Sequence, residues 1–343
     1  MFVRNAWYVI AWSEEITREP MKRTVLGQDV VLYRKEDGTP VALADRCAHR
    51  AYPLSAGRVI GDNIQCGYHG FEYDCEGVCV RVPAQDRIPA RALVQKFPLV
   101  ESHRWVWIWL GDADKAAATP VPDTHWMTDT DWDRVTHTRL FRCNANLLHD
   151  NLLDLTHEAF IHTSSIGDDA VYTNGVTVEV DGNVISVDRF MPNCHPSPLF
   201  EKATGIVPPC DRWHTTEFQA PSVHIIHAGV VEPGGRREDG YRLEVLNAIT
   251  PQTEDTSWYF YAFCRNFAVG DEKINDLLRE NLGGVLTEDD DALALQQHGI
   301  ANRPATLPDV LIAQDAGVAK ARRVMARLLA EESASTVDAE PQR

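Results

Sequence analysis

Two short Cys–His pairs carry the clearest chemical information in this sequence. Cys47-Ala48-His49-Arg50 is followed by Cys66-Gly67-Tyr68-His69-Gly70, so each pair sets a thiol and an imidazole on one tight loop. Gly67 and Gly70 let backbone amides come close to sulfur. Two thiolates and two imidazoles can hold zinc. They can also hold a two-iron, two-sulfur cluster, with cysteine on one iron and histidine on the other, a ligation that raises the reduction potential. Zinc sites more often use Cys-x-x-Cys spacing, which neither pair has. Cys75 and Cys79 lie nearby without further His or Cys and read as structural thiols. Cys143, Cys194, Cys210 and Cys264 are scattered and read the same way.

A second constellation lies further along. Asn151, Asp154, His157, Glu158 and His162 sit in an apolar run built from Leu147, Leu148, Leu152, Leu153, Leu155, Phe160 and Ile161. Neither Pro nor Gly interrupts the run, which predicts a buried or half-buried helix. Ionisable groups there are costly unless paired, and a metal ion is one such partner. Hydrogen-bonded core histidines are the plainer alternative. Asp154 and His157 share a helix face. His157 and His162 are separated by about 140° on a regular helix. Both can face one ion only if the helix ends or widens between them, as at a π-bulge. Two imidazoles and one carboxylate form the triad of non-haem iron, which leaves positions free for dioxygen. Glu288-Asp289-Asp290-Asp291 offers the carboxylate, although alone it reads as an acidic helix start capped by Thr287.

The elements that must position these groups are legible in outline. Trp7–Trp12, Thr24–Leu26, Val30–Tyr33, Val41–Ala44 and Trp105–Leu110 read as short strands of a small antiparallel β-domain. The tryptophans of the last strand suggest packing more than a binding platform. A Pro- and Ala-rich connector follows at 116–131. Residues 176–263 alternate or are β-branched and predict one antiparallel sheet, on which helices at about 271–332 pack. His224 and His227 point to opposite faces of a strand, so at most one can reach a ligand. Lys320, Arg322 and Arg323 read as the solvated face of a helix. The last residues, 333–343, are small and charged and predict a disordered tail.

Composition narrows the function. A formal net charge of −17 argues against nucleic acid, whose phosphates require Lys and Arg. No apolar run is long enough to span a membrane, and Met1–Tyr8 lacks a signal-peptide layout. A cytoplasmic protein is expected, with cysteines as thiols or metal ligands.

C-x-H-R with Pro53-Leu54 close behind, then C-x-Y-H-G-F, resembles the Rieske iron–sulfur motif. With Asn5–Val9, Asp150–Glu158, Ile161–Gly167, Trp258–Phe260 and Arg265–Phe267, nearly the whole chain resembles the oxygenase components of Rieske non-haem iron oxygenases. The branch is that of vanillate O-demethylase, dicamba demethylase and toluenesulfonate methyl-monooxygenase. The resemblance implies an α+β chain: an all-β Rieske domain at 1–115, the linker, and a catalytic domain at 132–332 with an antiparallel sheet flanked by helices. It implies a 2Fe–2S cluster on Cys47, His49, Cys66 and His69, and a mononuclear Fe(II) on His157, His162 and Asp289. Asp154 matches the carboxylate that links a cluster histidine of one subunit to an iron histidine of the next. Asn151 matches a residue beside the iron. Asn247 falls at a substrate-contacting position of the dicamba relative, where the residue differs. The implied partners are a ferredoxin or flavin reductase using NAD(P)H, and other copies of the chain in a head-to-tail homotrimer. The implied reaction uses O2 to hydroxylate an aryl O-methyl group of a vanillate-like aromatic acid, and the hemiacetal collapses to a phenol and formaldehyde. Hydroxylation of a methyl group or ring of another aromatic acid is the alternative. An electron-carrying Rieske protein without catalysis would not need two histidines and a carboxylate outside its cluster domain.

Overall fold

The aromatic and β-branched runs of the first hundred residues form strands, as their composition predicts. The computed structural model describes residues 1–304, 306, 307 and 309–338. The chain divides into two units, one of 2–121 with 250–253, the other of Met1, 122–249 and the chain from 254 onward.

The first unit holds β1 (Trp7–Trp12), β2 (Met21–Val25), β3 (Gln28–Arg34), β4 (Pro40–Ala44), β5 (Arg58–Ile60), β6 (Asn63–Gln65), β7 (Glu72–Tyr73), β8 (Cys79–Arg81), β9 (Leu99–Ser102) and β10 (Trp105–Trp109). They form three antiparallel sheets, ordered β1-β10-β9, β2-β3-β4 and β5-β6-β7-β8. Trp105, Trp107 and Trp109 are each 1% exposed, so the tryptophan strand is packed and offers no platform. One core cluster gathers Val31, Tyr33, Leu43, Leu54, Ile64 and Tyr73 around Cys47 and Cys66. A helical turn, α1 (Ala113–Ala116), closes the unit, capped by the Asp112 carboxylate.

The second unit is built on seven antiparallel strands. They are β11 (Asp133–Phe141), β12 (Thr177–Asp181), β13 (Val184–Cys194), β14 (Cys210–Gln219), β15 (Val223–Val231), β16 (Tyr241–Pro251) and β17 (Ser257–Arg265), ordered β11-β17-β16-β15-β14-β13-β12. Helices α2 (Ala145–Leu153), α3 (Glu158–Ile161), α4 (Ala170–Thr173), α5 (Pro198–Thr204), α6 (Glu272–Ala301) and α7 (Ala316–Asp338) accompany the sheet. The main core joins Leu147, Leu148 and Leu152 of α2 to Leu278, Leu282 and Leu286 of α6 over Val230, Leu243 and Tyr259 of the sheet.

Three expectations are corrected. The helix across 147–162 is not continuous: α2 stops at Leu153, Asp154 is extended, and a single 3-10 turn at Leu155–His157 leads into α3. No π-bulge is involved. Thr287 caps nothing; it lies inside α6, where its hydroxyl donates to the Gly283 carbonyl at 2.6 Å. Residues 333–338 continue α7 as helix, whereas 339–343 lie outside the described residues. The helix is anchored where Val318, Ala321 and Val324 pack with Ile185 and Val187, and residues 326–332 continue it with strong helix formers.

Candidate metal centres and active site

In the first unit, both Cys–His loops are tied by backbone bonds to the cysteines. Ala51 N–H donates to the Cys47 carbonyl at 2.9 Å, and Gly70 N–H to the Cys66 carbonyl at 3.1 Å. Gly70 turns the second loop at φ +71°. A Cβ at Gly67 would lie 2.8 Å from the Ala56 carbonyl, so that position has no room for a side chain. Cys47 and Cys66 are buried, with the Tyr73 hydroxyl 3.2 Å from the Cys47 sulfur. Burial pushes the Cys66 thiol up, and the neighbouring Cys47 thiol adds to the rise. Such thiols give up their protons to bound iron. The His49 and His69 rings are exposed and lie 4.6 Å apart. Among the described residues, only His157, His162 and Asp289 bring three ligand atoms within 4.8 Å of one another. The four loop ligands are therefore spread wider than one tetrahedral ion requires, which fits a two-iron cluster and does not fit zinc.

In the second unit, the break at Asp154 aligns the two histidines. The Asp154 carboxylate accepts from Thr156 N–H at 3.1 Å and from the Thr156 hydroxyl at 2.7 Å, capping the turn. Its backbone carbonyl accepts from His157 Nδ1 at 2.7 Å, which leaves the lone pair on Nε2, with Asn151 Nδ2 3.4 Å from it. His162 ends α3, with Nδ1 held by Glu288 Oε2 at 2.8 Å. Asp289 comes from the middle of α6. Its Oδ1 lies 3.2 Å from His162 Nε2 and 3.7 Å from His157 Nε2, and accepts from Asn151 Nδ2 at 3.2 Å. Two neutral imidazole nitrogens and one carboxylate oxygen fit a facial iron site with open positions. Asp290 and Asp291 are excluded by their own pairings: Arg139 and Arg142 take Asp290, and Arg142 takes Asp291. Burial lowers the His157 pKa. Burial opposes protonation of His162 too, but its bonds to Asp289 and Glu288 raise it overall.

A mostly apolar cavity opens beside these groups, walled by Leu199, Phe200, Val245, Phe263 and Leu286. Its polar lining includes Glu158, Ser197, His214, Asn247, Tyr259 and Tyr261, and no Lys or Arg among the described residues. Asn247 reaches the cavity with its amide already engaged. Its Nδ2 donates to the Val245 carbonyl at 3.0 Å, and its Oδ1 accepts from the Tyr259 hydroxyl at 2.9 Å. His224 is fully buried against His149 Nδ1, and His227 pairs with Glu244, so neither lines the cavity. Burial pushes Glu158 up to about 7, with Arg212, His162 and Arg189 opposing the rise. Sequence reasoning set Glu158 among the ionisable groups of the apolar run and Glu288 beside Asp289, without a specific role for either, and did not single out His214. Nothing local marks His214.

The model of the vanillate O-demethylase oxygenase C-terminal domain matches residues 141–331, and that of the Rieske 2Fe-2S domain matches 6–98. The iron–sulfur subunit of the toluene-4-sulfonate monooxygenase system of Comamonas testosteroni is 33% identical over 98% of this chain and 99% of its own. A vanillate O-demethylase oxygenase subunit of Pseudomonas sp. (strain HR199 / DSM 7063) is 32% identical over 97% of this chain and 96% of its own. The crystal structure of dicamba monooxygenase bound to 3,6-dichlorosalicylic acid matches with a TM-score of 0.93 at 32% identity, covering 97% of this chain and 99% of that one. The enzyme's cofactors are thus a Rieske cluster and a mononuclear iron, with dioxygen as cosubstrate and NAD(P)H electrons arriving through another component. The chain belongs to the Rieske non-haem iron oxygenases, as an oxygenase component with a catalytic domain of the vanillate O-demethylase type.

Proposed function

We propose that this oxygenase removes a methyl group from a methoxylated aromatic acid, releasing formaldehyde and a phenol. The observation that carries the reading is the convergence of His157, His162 and Asp289 within 4.8 Å at the edge of an apolar cavity. Iron held there supplies the activation of dioxygen and the hydroxylation of the methyl carbon. The chain's part is to bind and orient. Leu199, Phe200 and Phe263 take the ring and exclude water. No cation lines the cavity, so a carboxylate depends on neutral donors, of which the Tyr261 hydroxyl has no hydrogen-bond partner among the described residues. Asn247 stays in this reading as a wall residue that fixes Tyr259. The balance is Ar–O–CH3 + O2 + 2 e− + 2 H+ → ArOH + CH2O + H2O.

Cys47, His49, Cys66 and His69 hold the cluster in this reading. The exposed imidazoles face the side from which an electron can leave. Asp154 carries it onward, linking a cluster imidazole of a neighbouring subunit to His157. Its Oδ2 accepts no hydrogen bond among the described residues, and its side chain opens onto a surface hollow shared with Ile161, Val310 and Arg322. That arrangement supports a head-to-tail homotrimer served by a ferredoxin or flavin reductase in the cytoplasm. Among the described residues, no helix is long and apolar enough to cross a membrane.

The test supplies a reductase, NADH and a panel of methoxy- and methyl-substituted benzoates, and follows oxygen uptake, phenol and formaldehyde. Equal amounts of phenol and formaldehyde are expected. A hydroxymethyl or ring-hydroxylated product with no formaldehyde would establish the hydroxylase alternative.

A further inference from the structure

The first unit carries an exposed apolar patch. Burial alternates along two neighbouring stretches: Val78, Val80, Arg91 and Leu93 are exposed, while Cys79, Val82, Ala92 and Val94 are buried. The stretches run antiparallel, with a bridge between Val78 and Leu93 and a bond from Cys79 N–H to the Ala92 carbonyl at 3.1 Å. That register sets Arg91 beside Val80 and puts all four side chains on one face. Val78, Val80 and Leu93 are 44%, 43% and 55% exposed. Apolar side chains grouped in this way, with charge at their rim, mark an interaction surface.

The rim is cationic in an acidic chain. Residues 78–96 hold four cations, Arg81, Arg87, Arg91 and Lys96, against one acid, Asp86, whereas the whole chain has 33 Lys and Arg against 50 Asp and Glu. Arg81 and Lys96 pair with Glu72 and Glu76. Arg91 and Arg87, the latter on the loop that joins the two stretches, are exposed and make no ion pair among the described residues. Uncompensated guanidinium groups beside apolar side chains favour a partner surface that carries carboxylates. The patch also backs onto the cluster core. Cys79 points inward between Val78 and Val80, into the core that holds Cys47 and Cys66. One layer of chain therefore separates the patch from the cluster cysteines. The exposed imidazoles serve the electron's exit, so it enters by another face.

We propose that the face of Val78, Val80 and Leu93, with Arg87 and Arg91, is the docking site for the acidic 2Fe–2S protein or domain that reduces the cluster. This rests on the reading of the chain as a reductase-fed oxygenase and says where its electron donor binds. One electron passes at each encounter: the donor's reduced centre is oxidised, the oxygenase's cluster is reduced, and no covalent bond is made or broken. A small face steered by charge suits a brief electron-transfer encounter.

The test mixes the cluster-loaded oxygenase, without oxygen, with a pre-reduced plant-type 2Fe–2S ferredoxin as the acidic one-electron donor. Rapid freezing and electron paramagnetic resonance follow the oxygenase cluster. The double variant Arg87→Glu/Arg91→Glu is expected to slow cluster reduction by roughly tenfold or more at low salt, with the difference falling below about threefold near about 0.5 M salt. Leu93→Gln should slow it by about threefold at both salt concentrations. Arg236→Glu/Arg279→Glu makes the same charge change in the second unit and should leave the rate within about twofold. Photoreduction with a deazaflavin, which needs no protein donor, should proceed alike in every variant. An unchanged rate in the Arg87/Arg91 pair overturns the site. So does equal slowing in both arginine pairs, which would report overall charge alone. A ferredoxin that never reduces the unmodified cluster overturns the acidic donor. Loss of the oligomer in the Arg87/Arg91 pair, seen by light scattering, makes the face a contact between copies of this chain and overturns the site too. If that pair does not load a cluster, Leu93→Gln decides: slower reduction supports the site, and an unchanged rate overturns it. Failure of the demethylase reading looks different: the cluster is reduced at the expected rates and no formaldehyde forms.

Discussion

Asp289 and Glu288 are adjacent in sequence and do different work on His162. Asp289 shares the ligand cluster, while Glu288 holds Nδ1 and so turns Nε2 toward the same point. A carboxylate behind a metal-binding imidazole fixes its tautomer and raises its basicity. Glu288→Ala is therefore expected to weaken iron binding by roughly 10–100-fold while the cluster absorbance is unchanged. An iron titration that superimposes on the unmodified enzyme would remove Glu288 from the site. Asp154→Asn tests the electron path. Both metal centres should load, because Thr156 N–H can still donate to the amide oxygen, yet substrate-dependent oxygen uptake should collapse. Normal turnover in that variant would rule out the bridging role. Cluster re-oxidation after rapid mixing with oxygen and substrate separates slow transfer from a misplaced iron.

At the scale of elements, the broken segment between α2 and α3 brings His157 and His162 together beside Asp289. Gly167 closes it from behind: its N–H donates to the His162 carbonyl at 3.0 Å, and a Cβ there would lie 1.9 Å from the Glu158 carbonyl. Gly167→Ala should displace this turn and lower iron content while leaving the cluster loaded, as metal analysis and absorbance will report. Gly283 in α6 is the opposite case. It is exposed, helical and without neighbours at its Cβ position. Gly283→Ala should stabilise by about 0.5–1 kcal/mol, seen as a higher unfolding midpoint. A lower midpoint would show that a partner packs closely there.

The His149–His224 pair between α2 and β15 has a pH signature. Burial drives the His149 pKa down from 6.5 to about 3, and pushes His224 well below its ordinary value, with His149 adding to that. A depressed folded pKa gives stability that is present above the unfolded value and lost as pH falls, because the unfolded chain binds the proton first. The stability advantage of the unmodified protein over His149→Phe should therefore shrink from pH 6.5 toward about 3. A constant difference across that window, measured by denaturant unfolding, would contradict it.

For the whole molecule, the proposed electron path between subunits makes a complementation experiment decisive. Asp289→Ala subunits keep a cluster and lack iron; His69→Ala subunits keep iron and lack a working cluster. Each alone should be inactive. Co-assembled, they should recover a fraction of activity, since a sound cluster then sits beside a sound iron site. No recovery in verified mixed oligomers would confine the electron path to one subunit. Iron should total about three atoms per chain, falling to about two after mild chelation, with the cluster absorbance retained.

How much of this was legible in the sequence depends on how local each feature is. The Cys47–His49 and Cys66–His69 loops announced themselves, because each pair of ligands is set by a few adjacent residues. The strands followed from β-branched and aromatic alternation, and the acidic balance bore on nucleic acid without any fold. The break at Asp154 was hidden. Its run holds neither Pro nor Gly, and the side-chain bonds from Asp154 to Thr156 that stop α2 compete with helix without changing the apolar pattern. Residue pattern alone does not separate Asp289 from Asp290 and Asp291; the family resemblance singled out Asp289. That choice belongs to Arg139 and Arg142, more than a hundred residues upstream, which engage the other two. His214 was invisible for the same reason. By itself the sequence determined two metal-binding chemistries and the order of the domains that carry them. The tertiary structure decided how Asp289 reaches the histidines, what orients them, and which buried groups line the cavity, because those facts are set by contacts between distant segments and have no local pattern.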